Sequence, residues 1–282
     1  MRKKEYHLSL QKGFINEFLF LVHNIIGDNM RILITGGRSG LGFELAKKLS
    51  LNNTVYLTVH TSKQYETLKE EIKKENLKVL CFKLDITNKI DLKLINTLEI
   101  DTLICNAAIG NAGSILDCDV SIVKDTFNTN FFSTLELIKT YCKSRNSKRS
   151  KIFVISSIAG IIPIPYLGSY TSSKAALSMF TRTLKYELPK NISISLVELG
   201  AFHTGFNQSM IDSIEKNSKK KELNNIHKIK RVERNIFSII EVSTDKIVKK
   251  LVKSIEKKNS KFLIRIPFIQ SIFSKLYLIF IR

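Results

Sequence analysis

R-I-L-I-T-G-G-R-S-G-L-G-F-E-L-A-K-K-L, residues 31–49, is the stretch on which the fold turns. Residues 32–34 form a short apolar run, residues 35–42 a loop punctuated by Gly36, Gly40 and Gly42, and residues 41–49 an apolar pattern of helical period. Glycines at that place let a backbone come close to a pyrophosphate, and the first turn of the following helix offers free N–H groups and the positive end of its dipole. A glycine-rich run alone identifies little. One that ends a strand and opens a helix predicts the first unit of a dinucleotide-binding sheet.

Apolar runs rich in Val, Ile and Leu recur at 55–59, 79–84, 103–105, 152–155 and 192–197. Helical patterns separate them, among others at 65–74, 121–143 and 175–187. Strands apolar on both sides that alternate with helices predict a parallel sheet covered twice, because a half-exposed strand would alternate apolar and polar residues. The predicted fold class is therefore α/β: a doubly wound parallel sheet of the Rossmann kind, in one domain spanning 30–266, with C-terminal helical additions. After Gly200 the alternation loosens. Residues 210–234 are highly charged and read as helices and loops packed over a site, 243–257 as an amphipathic helix carrying Ile247, Val248, Leu251, Val252 and Ile255, and 262–266 as a last strand.

Both ends stand apart from this domain. Residues 1–29 carry Arg2, Lys3 and Lys4 and a short apolar run broken by His23 and Asn24, too short to span a bilayer and without a small-residue cleavage site. Met30 immediately precedes the first strand, so 1–29 reads as a non-essential extension. The tail 267–282 is strongly apolar, but Pro267 and Lys275 argue against a membrane span. A subunit contact, a lid over an apolar substrate and an interfacial membrane helix all remain open for it.

The 282 residues hold 45 Lys+Arg against 25 Asp+Glu, a net charge of +20. The lysines are spread along the chain among many Asn and Ile, which reads as compositional bias, and nucleic acid is not an expected partner. Cys81, Cys105, Cys118 and Cys142 have no C-x-x-C spacing and two fall in apolar runs, which fits a reducing, cytoplasmic compartment. The five histidines form no metal-ligand cluster.

The chemistry is carried by I-S-S-I-A-G-I-I-P-I-P-Y-L-G-S-Y-T-S-S-K, residues 155–174. A strand ends near Ser157, a loop punctuated by Gly and Pro follows, and Tyr170 and Lys174 stand four apart on the helix that opens there, so their side chains share a face. A phenol, an ammonium and a hydroxyl together suit proton transfer at a carbonyl or alcohol oxygen. A nearby lysine is expected to lower the tyrosine pKa.

T-G-x-x-x-G-x-G followed by S-S-I-A-G and Y-T-S-S-K resembles the shorter type of the short-chain dehydrogenase/reductase family, over residues 31–207. The resemblance implies hydride transfer between a nicotinamide and a carbonyl or alcohol, with Tyr170 as acid/base and Lys174 on the nicotinamide ribose. Its serine stands about 13 positions before the tyrosine, and 170 − 157 = 13 selects Ser157 over Ser156. Asn130, in F-N-T-N-F-F, matches the family's fourth member, an asparagine that holds a water in a proton relay. Thr35, Gly36, Arg38, Ser39, Gly40, Leu41 and Gly42 fall on the dinucleotide loop, and Asp85 with Ile86 on the adenine contact, where Asp85 also reads as a helix N-cap. Asn106 and Ala107 fall on the wall beside the adenine ribose, with Cys105 and Ala108 replacing the usual Asn and Gly. Gly200 and Thr204 match the nicotinamide end, where Leu199 replaces the usual proline and His203 is a candidate substrate contact.

After the second strand the chain reads Val59-His60-Thr61-Ser62-Lys63, with no carboxylate to meet the ribose of NAD, and Arg38 lies in the glycine loop. NADP(H) is the expected cofactor, with NAD(H) the alternative. Apolar residues 161, 162 and 164 and Phe206 lean toward an apolar substrate, and the resemblance implies a homodimer or homotetramer pairing through helices 121–143 and the one opening at Tyr170. Two other readings are carried: a dinucleotide-binding scaffold without catalysis, and a membrane-peripheral enzyme acting on a lipid-linked substrate.

Overall fold

Strands that are apolar on both faces bury themselves only inside a sheet covered twice, and the computed structural model of the chain has that arrangement. It describes residues 29–145, 149–202, 205–218 and 242–267. Seven strands, β1 Arg31–Ile34, β2 Thr54–Val59, β3 Val79–Lys83, β4 Thr102–Cys105, β5 Ser150–Ser157, β6 Ile192–Leu199 and β7 Leu263–Ile266, form one sheet in the order β3-β2-β1-β4-β5-β6-β7. Every pairing is parallel. The helices are α1 Gly40–Leu49, α2 Ser62–Lys74, α3 Lys89–Leu92, α4 Val120–Phe127, α5 Ser133–Lys143, α6 Gly168–Glu187, α7 Phe206–Lys216 and α8 Thr244–Glu256.

The period of two along each strand sends alternate side chains to two cores. Ile32 and Ile34, with Phe153 and Ile155, pack against α1 and α8 through Leu45, Leu49, Ile247 and Leu251. Leu33, with Ile152 and Val154, faces the opposite layer and meets Leu137, Ile138 and Tyr141 of α5 and Leu177 of α6. β1 pairs with β2 on one side and β4 on the other, so chain order reverses there and a crevice opens beyond the carboxyl ends of β1 and β4.

The helix expected over 121–143 is not continuous: a π turn at Asn128–Phe132 separates α4 from α5. Such a turn adds one residue and shifts the helix phase. It leaves Asn130 fully buried and sets Phe131 edge-on to Phe180 of α6, ring centroids 5.7 Å apart. β5 runs on to Ser157 itself, and α6 starts at Gly168, ahead of Tyr170. Of the roof expected over 210–234, the part up to Ser218 is seen, and α7 begins four residues earlier, at Phe206. The remainder of that roof, most of the N-terminal extension and the apolar tail beyond Pro267 lie outside the described residues. Among the described residues no helix is long and apolar enough to cross a membrane.

Candidate active site

At the switch point the glycine loop is fastened from below. The Thr35 hydroxyl, 1% exposed, accepts hydrogen bonds from the backbone N–H groups of Asn106 at 3.1 Å and Ala107 at 3.2 Å. The Asn106 amide donates to the carbonyls of Thr35 at 2.9 Å and Gly36 at 3.0 Å. Asn106 is thus a clasp between the loop after β4 and the glycine loop, a role that the sequence reading had not given it. Gly36 has φ +73° and a Cβ there would lie 2.6 Å from Ala107 Cα, while a Cβ on Gly42 would lie 2.5 Å from the Gly36 carbonyl oxygen. Only glycine fits either place. Ser39 N-caps α1 without a side-chain hydrogen bond, and the first turn carries no acidic residue, so its N–H groups remain for an anion. Leu41, one residue into α1, is buried in the core and offers only its backbone. These features fit the pyrophosphate of a dinucleotide.

Toward the adenine end, His60 and Thr61 are exposed just after β2, and the Thr61 hydroxyl N-caps α2 by accepting from Gln64 N. Arg38 reaches across to Glu71 of α2, Nη1 to Oε2 3.3 Å, with both side chains about two-fifths exposed. Asp85 is not a helix N-cap: its carboxylate accepts from the N–H and hydroxyl of Thr87 in a tight turn, and Asn88 caps α3 instead. Ile86 beside it is buried. Gly200 follows β6 and donates its N–H to the Ile266 carbonyl at 2.8 Å, while His203 and Thr204 lie outside the described residues.

Beyond the carboxyl end of β5 the chain brings Ser157, Tyr170, Lys174 and Asn130 together. The Ser157 hydroxyl donates to the Leu199 carbonyl at 3.3 Å and accepts from Ala159 N at 3.1 Å, and it stands close enough to the Tyr170 phenol to act on its acidity. Ser156 points the other way, its hydroxyl bonded to Ser178 Oγ at 2.7 Å and to the Lys174 carbonyl, which makes it part of the β5–α6 packing. Lys174 is 4% exposed; its Nζ donates to the Ile155 carbonyl at 3.0 Å and lies 5.8 Å from the Tyr170 ring centroid. α6 is held to the sheet by Arg182, which pairs at 2.6 Å with the fully buried Glu198 of β6, itself paired with Arg265 of β7.

The electrostatics differ from the expectation that lysine lowers the tyrosine pKa. Burial dominates: the Tyr170 phenol is pushed up to about 12, partly countered by the neighbouring Ser157 hydroxyl, and burial brings Lys174 down to about 8. The ammonium is spent on a carbonyl and a ring face, which leaves desolvation to decide.

Asn130 is fully buried, and its amide mimics a backbone strand for Ile109: Oδ1 accepts from Ile109 N at 2.8 Å and Nδ2 donates to Ile109 O at 2.9 Å. Nδ2 also donates to Ser173 Oγ at 3.0 Å, and Ser173 Oγ donates to the Tyr170 carbonyl at 2.8 Å. Ser173 therefore joins Asn130 to α6. Its spacing of three from Tyr170 was visible in the sequence, but its partner was not. Two further contacts follow from the fold, the second placing a residue already read as leaning toward an apolar substrate. Tyr166 holds φ +63°, its carbonyl accepting from Gly113 N at 2.7 Å, and the Phe206 ring of α7 lies 5.7 Å from that of Tyr170. Around them Ala112, Ala159, Leu167, Met210, Ile211 and Ile214 close an apolar cluster.

A doubly wound sheet with a glycine loop at its switch point and Ser157, Tyr170 and Lys174 beyond the carboxyl end of β5 defines an NAD(P)-dependent oxidoreductase. The family profile described as short chain dehydrogenase matches residues 30–215. The chain is 31% identical over 258 residues to a 3-ketodihydrosphingosine reductase of Bacteroides thetaiotaomicron, covering 86% of this chain and 90% of that protein. It also shares its fold with an actinorhodin polyketide ketoreductase solved with NADPH, at TM-score 0.71 and 18% identity over 85% of this chain and 96% of that one. A short chain dehydrogenase/reductase of Burkholderia phymatum, solved with NAD, superposes at TM-score 0.74 and 18% identity, over 88% and 92% of the two chains. The protein belongs to the short-chain dehydrogenase/reductase family.

Proposed function

We propose that the protein reduces a ketone carried on a long apolar chain, with NADPH preferred over NADH. The reading is carried by one observation: the Tyr170 phenol is buried against Phe206 inside a wall of Ala112, Leu167, Met210, Ile211 and Ile214, so a carbonyl that reaches it arrives on an apolar body. The Bacteroides relative is named for 3-ketodihydrosphingosine, a ketone on an alkyl chain, and its similarity extends over 86% of this chain. The nicotinamide, when bound, supplies the hydride. Tyr170 then gives its proton to the carbonyl oxygen; a phenol held at about 12 stays protonated near neutral pH, which suits the direction of reduction. Ser157 orients the carbonyl oxygen by hydrogen bonding, and the Lys174 ammonium over the ring face stabilises the phenolate as it forms and holds the nicotinamide ribose. Asn130 fixes the loop at Ile109 that walls the site, and the family resemblance assigns the same residue a water of the proton relay.

NADPH is favoured because Arg38 and Thr61 surround the adenine end and no carboxylate stands at His60 or Thr61. Thr35, Gly36, Ser39, Gly40, Leu41, Gly42, Asp85, Ile86, Asn106, Ala107, Gly200 and Thr204 complete that cofactor site. Exposed Phe132, in the π turn that leads into α5, and exposed Met179 and Tyr186 on α6 support pairing of two copies through α5 and α6. The test is NADPH oxidation with 3-ketodihydrosphingosine beside short polar ketones, aldehydes and 3-oxoacyl thioesters. Turnover confined to the polar ketones would overturn the substrate reading.

A further inference from the structure

The charge of this chain is less evenly spread in space than along the sequence. On α2 Lys63, Lys69, Lys73 and Lys74 alternate with Glu66, Glu70 and Glu71, so that helix is nearly balanced. On α8 and the turn after it, residues 244–261, seven lysines (246, 249, 250, 253, 257, 258 and 261) face two acids, Asp245 and Glu256. Lys249 is paired with Asp245 at 2.7 Å, and Glu256 accepts from Asn53 at 3.2 Å. Among the described residues, no carboxylate pairs with Lys246, Lys250, Lys253, Lys257, Lys258 or Lys261, and all six are exposed. Helical spacing of 246, 250 and 253 places these lysines along one outer face, with Lys257 just past the helix end, while Ile247, Val248, Leu251 and Ile255 anchor the opposite face in the core. Arg149 extends the patch at its far end, donating to Asn259 at 3.1 Å.

We propose that this outer face of α8 docks the enzyme on an anionic phospholipid surface. A row of clustered lysines on a rigid amphipathic helix complements a sheet of lipid phosphates better than it does a discrete acidic ligand, because the charges are strung along the helix and do not converge on one point. Its position adds a second argument. α8 begins just after Val242, which bridges Phe202 on the chain leading into α7, and it ends where Lys151, at the amino end of β5, donates to the Ile255 and Lys257 carbonyls, so the patch runs from the carboxyl to the amino end of the strands. An enzyme lying on this face keeps the apolar site within reach of a bilayer. The inference stands on the charge geometry and holds whichever ketone is reduced.

The experiment is co-sedimentation of the full chain with phosphatidylcholine vesicles, with and without phosphatidylglycerol. The variant Lys246→Gln/Lys250→Gln/Lys253→Gln/Lys257→Gln removes the face; Lys69→Gln/Lys73→Gln/Lys74→Gln/Lys78→Gln removes equal charge from α2 and its following turn. Each lysine near an anionic surface is worth a factor of about five, so the α8 variant should lose at least about tenfold in partitioning to the anionic vesicles, and the α2 variant less than about twofold. Raising salt should weaken the wild type in parallel. Arginine at the same four α8 positions should retain binding, which separates charge from folding. Equal loss in the two glutamine variants, equal binding of wild type to both vesicle compositions, or preference for a DNA duplex over anionic vesicles would each overturn the proposal.

Discussion

Replacing Lys174 by Met converts the burial of its ammonium into a measurable dependence on pH. Lys174 is 4% exposed, its Nζ donates to the Ile155 carbonyl at 3.0 Å, and burial lowers its pKa to about 8 from 10.5. Between those two values the native protein has released the proton while the unfolded chain still binds it, so stability rises with pH through that window. The full gap corresponds to about 3 kcal/mol, most of it falling between about pH 7 and pH 10. Met keeps the length of the side chain and removes the charge. It also leaves the Ile155 carbonyl without its donor, a cost of about 1–3 kcal/mol that does not change with pH. The unfolding free energy of wild type minus that of Lys174→Met is therefore expected to grow by about 2 kcal/mol from neutral to alkaline pH, measured by urea unfolding at a series of pH values. Tyr170, raised to about 12, is present in both proteins, and its loss of stability above pH 10 largely cancels in the difference. A difference that stays flat, or falls, across the window would refute desolvation as the force acting on Lys174.

Tyr170→Phe keeps the ring against Phe206 and removes the proton, so kcat should fall by about 10²–10⁴-fold while the Kd for NADPH changes little; retained turnover takes Tyr170 out of the chemistry. Asn130→Leu preserves volume but orphans both backbone groups of Ile109, and urea unfolding should show a loss of about 2–4 kcal/mol; a loss below about 1 kcal/mol would mean that Ile109 finds other partners. Arg38→Ser should weaken NADPH by about tenfold and leave NADH unchanged, whereas Glu71→Gln should tighten NADPH by a few-fold because its carboxylate competes with the 2′-phosphate for Arg38. Titration of both nucleotides checks this, and NADH binding as tightly as NADPH to the wild type sinks the cofactor preference.

The fold could be read because its signals are local. Strands β1 to β6 announce themselves by continuous apolar runs, and the glycine loop by residues whose backbone freedom no other side chain supplies. Ser157, Tyr170 and Lys174 were legible for a related reason: two sit on one helix and the third ends the strand before it, so spacing sets their geometry. The break in the helix at Asn128–Phe132 was not legible, because Asn130 bonds Ile109, and Phe131 packs on Phe180, across gaps that sequence spacing does not measure. The clasp made by Asn106 stayed hidden likewise, since its partners Thr35 and Gly36 are about seventy residues away.

The order of strands and helices along the chain and the glycine loop between β1 and α1 were thus written in the sequence, as was the spacing that puts Tyr170 and Lys174 on one helix. The direction in which Tyr170 and Lys174 shift, and the groups around them, depend on the tertiary structure. The sequence placed a cation near a phenol and predicted a lowered pKa; the fold withdrew water from both and turned the ammonium toward the Ile155 carbonyl, so the phenol moved up instead. Spacing along a helix fixes which groups are neighbours, but the free energy of a charge depends on how much solvent the rest of the chain leaves around it.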